Sequence, residues 1–519
     1  MFRTLPAATW NDDDLKLLAS KVSAGPEDAA DADKEDGEEN FGIPAGYTYF
    51  GQFVDHDLTF DPTSALQQIN DPDGLVDFRT PRFDLDSLYG RGPDDQPYLY
   101  ADDGLHILLG RPLTLGSGAE KPTADLQRNG LGRALIGDKR NDENVIVSQF
   151  HAGVCEFHNH LADIMRAEDA TTNFEDVARE VRFHYQWAVL HDFLKRLCKP
   201  KILDRIAPHI NKGTNIVYDE PHLRFYHFDE DPFIPIEFSV AAYRLGHSMV
   251  RPVYRLSLGL DQLKIFGDKA NEGLNGFREF PANWGIDWSL FFGDLSNPKE
   301  GAGRIMPSYK IDTSLVDPLS NLPEFIQKDA QGNFLFDAQG RPLLIEGAVT
   351  PNLSLRNLMR GRSMSLPSGQ TVACAMGFVP LRDDQILIGK ATASDWKDSE
   401  RLANLAVIGG NGSVVGQNKN FAGKAPLWIY ILAEAAHEWA QKAFPGGDTR
   451  KKPVAGADRI PVHLGDVGST IIAETFLGLM KGDSFSYLKQ NPMFVPRAEL
   501  TSTKNGQDFS VFDLVRPRS

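Results

Sequence analysis

Residues 174–198, FEDVAREVRFHYQWAVLHDFLKRLC, put Phe174, Val177, Val181, Tyr185, Val189 and Phe193 at three- and four-residue steps. That spacing is the period of a helix with one buried face, and a strand cannot satisfy it. Residues 146–166, 237–250, 427–443 and 467–480 carry the same period, so helices must supply most of the core. Alternating patterns are few. The clearest lies at 329–345, where DAQG recurs after eight residues beside Phe334, Phe336 and Leu343. Two turns bounding a small hairpin explain it better than a repeat architecture. The sequence predicts a mainly α fold: a single large helical domain with long loops and little β structure.

The chain has 519 residues, within reach of one large enzyme domain, and no clear linker interrupts 41–497. Residues 1–40 are expected to form an acidic, partly disordered N-terminal segment, because 24–40 hold eight acids and almost no large apolar residue. Residues 498–519 read as a polar, loosely held tail. The net charge of −17 and a pI near 5.2 argue against nucleic acid as a partner and against anchoring on an anionic membrane. Apolar stretches reach only about ten residues, too short for a bilayer span. Cys155, Cys198 and Cys374 are too few and too separated for a disulfide framework or a four-thiolate zinc site. With no secretory signal visible at Met1–Pro6, a reduced cytoplasmic setting is the default expectation, with export by another route left open.

No Walker A loop, dinucleotide fingerprint, CxxC or HExxH occurs; GGNGSVVG at 409–416 reads as a tight turn, and His437-Glu438 lacks a zincin's second His. Most of the thirteen histidines, including His151, His158, His184 and His191, read as packed core residues. Three segments stand apart. In YTYFGQFVDHDLTF, 47–60, a helix would place Gln52, Asp55 and His56 on one face among Phe50, Phe53, Val54 and Leu58. Buried polar groups need partners, from each other or from a ligand. In GDKRNDEN, 137–144, Arg140, Glu143 and Asn144 share a helical spacing; an exposed ion pair at a helix start would explain them equally. In EFSVAAYRLGHSMVRP, 237–252, His247 stands among Ala241, Ala242, Gly246 and Ser248. Such small neighbours admit a large flat group or a closely packed helix.

The segments GQFVDHDLTF, GDKRNDEN, AAYRLGHSMVRP and NLMRGRSMSLPSGQ follow one another as in the animal-type haem peroxidases. Over roughly 41–495 the chain resembles this peroxidase–cyclooxygenase superfamily, which includes myeloperoxidase and lactoperoxidase; HYQWAVLHDFLKRL is most similar to its compact bacterial members. The resemblance implies a haem peroxidase domain over 41–497, with haem b as cofactor. It would reduce H2O2 through a ferryl intermediate and oxidise small anionic or aromatic donors. His56 matches the distal base, Arg140 the distal arginine and Gln52 the residue that orients distal water or a halide. His247 matches the proximal iron ligand, and Asn357 the amide that accepts from its free N–H. Arg244 and Arg360 resemble the residues that pair with haem propionates, and Asp55 and Glu143 those that form haem esters. Asn144 replaces the Met that myeloperoxidase links to its haem, so bromide, iodide, thiocyanate or small phenols are expected before chloride.

TPRFDLDSLYG, 80–90, resembles the family's calcium loop, which implies Ca²⁺ held by Asp57, Thr80, the Arg82 carbonyl, Asp84 and Asp86. Without the resemblance, FDLD would read as a solvated acidic turn. Two other functions follow from the same residues. In the cyclooxygenase branch, a fatty-acid dioxygenase needs a radical-forming Tyr three residues before the proximal His; that position is Arg244, with Tyr243 one residue earlier. A non-catalytic haem- or calcium-binding protein would have no chemical need for His56 and Arg140.

Overall fold

The computed structural model describes residues 1–518 apart from 26–32, 60–78, 119–122, 213–219, 268, 270–271, 297–300, 302, 409–413 and 418. The centre of the acidic N-terminal segment and the 409–413 part of the glycine run therefore lie outside the described residues.

Helices dominate, as the periodicity predicts. The main ones are α1 (Asp12–Val22), α2 (Gly46–Leu58), α3 (Val145–Glu168), α4 (Phe174–Ala188), α5 (Leu353–Ser363), α6 (Leu427–Ala443), α7 (Asp466–Gly482) and the short α8 (Val511–Val515). Helix α4 runs on through a π turn at Val189–Phe193 into Leu194–Leu197, so the 174–198 repeat is one continuous rod with a wider central turn. Among the described residues, strands occur only as short antiparallel pairs; the longest, β1 (Glu39–Pro44), lies against β2 (Pro307–Tyr309). No helix among the described residues is long and apolar enough to cross a membrane.

Around α2 the core is aromatic. Phe50 and Phe53 pack against Phe150 of α3, with centroids 5.7 and 5.3 Å apart, and both meet the Tyr185 edge from α4. Each fully buried Phe contributes about 1.5–3 kcal/mol of transfer free energy, so this cluster fixes how α2 rotates. Gly46 lets α2 begin tight against Phe292: a Cβ there would lie 2.4 Å from the ring. Two buried arginines, Arg251 and Arg304, converge on the buried Glu39 carboxylate and tie β1 to the loops below the helices. Removing one partner of such a pair costs about 3–5 kcal/mol, because the other charge is left buried.

Several expectations need correction. The period at 237–250 is not one helix: Ile236–Ser239 is a single α turn, Ala241 leaves the helical region at φ −129°, and Ala242–His247 is a 3-10 turn. With small residues at Ala241, Ala242 and Gly246, side-chain packing there supplies little reason to continue a helix. Residues 1–40 also hold an ordered helix ahead of the acidic run at 24–40, which leaves the expectation for that run untouched: Asn11 caps α1, and Leu15, Leu18 and Val22 are buried. The tail at 498–518 is packed down. Polar on average, it still buries Leu500, Phe509, Val511, Leu514 and Val515, and Val515 sits 3.1 Å from where a Cβ on Gly153 of α3 would be. The two DAQG copies form matching turns, in which Asp329 and Asp337 accept from the backbone N–H groups two and four residues on. The pairings Lys328–Phe334, Phe336–Pro342 and Ile326–Leu344 make a narrow meander rather than a single hairpin.

Candidate active site

Helix α2, the 137–144 segment and the 242–247 turn enclose one cavity of about 760 Å³. Gln52, Asp55, His56, Arg140, Glu143, Arg244 and His247 all line it. Of the remaining haem-site candidates, Asn357 touches His247 from α5, while Arg360 does not line the wall.

On the α2 side, His56 is nearly fully buried and its Nδ1 lies 2.8 Å from Asn141 Oδ1. An amide oxygen only accepts, so the ring proton sits on Nδ1 and the Nε2 lone pair is left basic, 3.6 Å from Glu143 Oε1. Burial, reinforced by the Arg140 charge, pushes His56 down to about 3, so the ring is neutral at neutral pH. Gln52 donates through Nε2 to the Glu143 carboxylate. Burial, with the Glu324 charge adding, pushes that carboxyl up to about 8. Asp55 accepts from Thr59 Oγ1 at 3.1 Å; burial raises its pKa against the pull of Arg140 and Arg244.

The 137–144 segment is stapled in place. Arg128 pairs with both Asp125 and Asp142, and Arg79 reaches Asp138 Oδ2 at 2.6 Å. Arg140 donates to Asp138 and to the carbonyls of His56 (3.1 Å) and Thr59 (2.6 Å). Burial opposes ionisation of Asp138, but the hydrogen bonds and charge of Arg140 outweigh it and hold that carboxyl well below the usual range. Arg140 is thus a fixed cation tied to the α2 backbone. Asn144 does not share a helical face with it: residues 139–142 form a 3-10 turn, and Asn144 instead caps α3 by accepting from Ile146 N at 2.8 Å.

Across the cavity, burial and the Arg244 charge push His247 down to about 3, keeping the imidazole neutral as a metal ligand requires. A Cβ on Gly246 would meet no protein atom within 4 Å, so the space beside the ring is open. Asn357 meets Nδ1 at 2.8 Å through its amide nitrogen, the reverse of the expected accepting contact. The cause is Arg244, whose Nη1 donates to Asn357 Oδ1 at 2.8 Å and so holds the oxygen away from the ring. Burial, opposed by Asp55 and aided by Arg360 and Arg356, pushes the Arg244 guanidinium down to about 10. Arg356, on α5 beside Asn357, adds a cation that the motif reading did not single out; its guanidinium lies 3.8 Å from the Phe325 ring centroid. Asn141 was also missed. An amide inside an otherwise charged motif carries no pattern of its own; only its buried position between two histidines reveals it.

Behind His56, the next residue serves a different site. Asp57 is fully buried and accepts from Leu85 N and Ser87 Oγ, both at 3.3 Å. One oxygen each from Asp57, Asp84 and Asp86 falls within 4.8 Å of the others. Thr80 Oγ1 donates to Asp84 at 2.6 Å, and Arg82 sends its guanidinium toward Asp483, 3.7 Å away. Burial raises all three carboxyls; repulsion from Asp84 adds to it for Asp57 and for Asp86, which reaches about 6, and the Asp483 charge adds to it for Asp84. Hard oxygens held this close suit a divalent cation.

The animal haem peroxidase family model matches residues 71–265, a span that holds Arg140, Glu143 and His247 at the spacing described above. Over that span, which is less than half of the chain, the sequence is similar to the animal haem peroxidases. Among solved structures, peroxidase A from Dictyostelium discoideum aligns with a TM-score of 0.53 at 16% identity, over 95% of this chain and 89% of that one. The fatty acid alpha-dioxygenase of Oryza sativa aligns at 0.53 and 14% identity, over 98% and 79%. That of Arabidopsis thaliana aligns at 0.51 and 14%, over 99% and 82%. At such identities the likeness is one of fold, and a peroxidase and the fatty acid alpha-dioxygenases share it. No curated protein sequence matches the chain.

Proposed function

We propose that the chain is a peroxidase that reduces H2O2 and oxidises small anionic or aromatic donors. What carries this reading is a shared cavity lined by a neutral His247, a neutral His56 with a bare Nε2 and a fixed Arg140. The residues fit haem. His247 would hold the iron, Arg244 on the cavity wall would meet a propionate, with the Arg356 and Arg360 charges behind it, and Asp55 and Glu143 stand on the walls where ester links could form. An anion that draws Arg244 away also frees the Asn357 amide to turn its oxygen to His247 Nδ1. Haem, when bound, supplies the redox chemistry. The protein's part is to move one proton and stabilise charge. His56 Nε2 takes a proton from the peroxide oxygen nearest it and returns it to the departing oxygen, while Arg140 offsets the negative charge that develops there.

A dioxygenase reading has one observation in its favour. Tyr243 lines the cavity beside the proximal segment, and its hydroxyl is buried with no hydrogen-bond partner among the described residues. The deciding experiment uses haem-loaded protein with H2O2 and either iodide, thiocyanate or guaiacol, and in parallel with linoleate in an oxygen electrode. Donor oxidation without oxygen uptake is the expected result; peroxide-initiated oxygen uptake with no donor oxidation overturns it. In the same preparation, acid–acetone should leave haem on the wild-type protein after peroxide turnover. It should extract haem from the Asp55→Val, Glu143→Gln double variant.

The Asp57, Asp84 and Asp86 cluster, with Thr80 and the Arg82 carbonyl, is proposed to hold Ca²⁺. Carboxyls raised in the folded state give the cation-free protein stability that is full below their ordinary value of 3.8 and is lost as pH rises through the folded values, about 6 for Asp86. Calcium removes that loss. The Tm gain from Ca²⁺ over EGTA should therefore grow as pH rises through about 6 and vanish near pH 4, worth about 2.7 kcal/mol at 100 times the Kd. Asp57→Asn should abolish the gain; a gain independent of pH would argue against carboxylate ligation.

A further inference from the structure

We infer that Asn141 and His151 form a buried relay that fixes which nitrogen of His56 carries the proton, making both of them positioning residues for the distal base. Asn141 Oδ1 lies 2.8 Å from His56 Nδ1, and Asn141 Nδ2 lies 3.0 Å from His151 Nδ1. Asn141 and His151 are essentially inaccessible to solvent, and His56 nearly so. Water cannot replace either contact cheaply, and an amide can serve both only in one sense.

As the Asn141 amide lies, its Nδ2 faces His151 Nδ1 and its Oδ1 faces His56 Nδ1. His151 Nδ1 receives an N–H from Asn141, so it must present its lone pair there and carry its own proton on Nε2. With the amide nitrogen so engaged, Asn141 can show His56 only an oxygen. His56 must answer with Nδ1–H, which leaves Nε2 bare toward the cavity. Turning the amide over would put an N–H against His56 Nδ1, move the ring proton to Nε2 and block the atom that has to accept a proton. His151 is held beneath α2 by the Phe53 ring, with centroids 6.0 Å apart, so the relay is built into the same aromatic core that orients α2. A packed core histidine is therefore also what selects the tautomer of the reactive one.

The inference rests on the peroxidase reading only for the consequence; the tautomer itself is measurable without it. In protein labelled with ¹⁵N-histidine, two-bond ¹⁵N–¹H correlation spectra report which ring nitrogen is protonated. They can be recorded on the haem-free protein and on the diamagnetic ferrous carbonyl form. Wild-type His56 should show Nδ1–H and His151 Nε2–H. In Asn141→Leu the His56 pattern should shift toward Nε2–H or a mixture. The rates of reaction with H2O2 and of ferric cyanide binding, where HCN must also give up a proton, should both fall about tenfold or more at unchanged haem content. Asn141→Asp keeps the accepting oxygen and should keep both the tautomer and rates within about threefold. His151→Phe, which preserves the packing but frees the amide, should reproduce part of the Asn141→Leu shift. An Nε2–H tautomer in the wild type would overturn the inference whatever the variants do. So would an Asn141→Leu protein with the wild-type tautomer and rates. If Asn141→Leu fails to fold, the wild-type and His151→Phe spectra still decide. A correct tautomer in a protein that does not react with peroxide would instead sink the peroxidase reading and leave the relay standing.

Discussion

His56→Ala is expected to slow the reaction of the haem-loaded protein with H2O2 by about 10²–10⁴ while leaving haem bound. The loss should be large because the groups closest to His56 are poor replacements for it. Arg140 has no acceptor to offer, and its donors are committed to Asp138 and to the His56 and Thr59 carbonyls. Glu143, pushed up to about 8, is mostly protonated at pH 7, and Gln52 is an amide already donating to it. Asp55 is engaged with Thr59 at the next turn of α2. Stopped-flow absorbance after mixing with peroxide measures the rate directly. A fall of less than about threefold would mean that the proton travels by another route and that His56 is a packed residue like His184. Haem content must stay at the wild-type level, because His56 and His247 reach the cavity from different elements.

How far the residues themselves reveal this arrangement differs from one element to the next. The long helices are legible because burial of one face imposes a period that no other structure satisfies, and α3, α6 and α7 begin and end close to where that period does. The distal face of α2 is legible for the same reason: Gln52, Asp55 and His56 fall on one side only if the segment is helical, and it is. The 242–247 turn is not, since a short apolar run of small residues fits a helix period without being held to it. Side-chain partners are less legible still. That Asn357 meets His247 follows from the motif, whereas the sense of the contact depends on Arg244, 113 residues away in sequence, competing for the same oxygen. The three-way meeting of His56, Asn141 and His151 depends on how α2 lies on α3, which the aromatic cluster decides and no local pattern encodes.

His247→Ala should separate two ways in which the protein can keep its haem. His247 would be the iron ligand on its side of the cavity, and the space next to Gly246 is open. Disturbing only the partner of a ligating His weakens metal binding by roughly 10–100-fold, so removing the ligand itself should cost at least that much affinity for haem added to the haem-free chain. The absorption band of five-coordinate ferric haem should be lost, and millimolar imidazole, filling the deleted ring's place, should restore it. Asn357→Ala makes the comparison quantitative, since it removes the partner and keeps the ligand; its loss should be the smaller of the two. In wild-type protein already exposed to peroxide, ester links through Asp55 and Glu143 would hold haem independently of iron, whereas His247→Ala loaded without peroxide has neither hold. A variant that binds haem as tightly as the wild type before any peroxide is added, with the same spectrum, would show that His247 is not the ligand. It would also return the small residues around it to the service of helix packing.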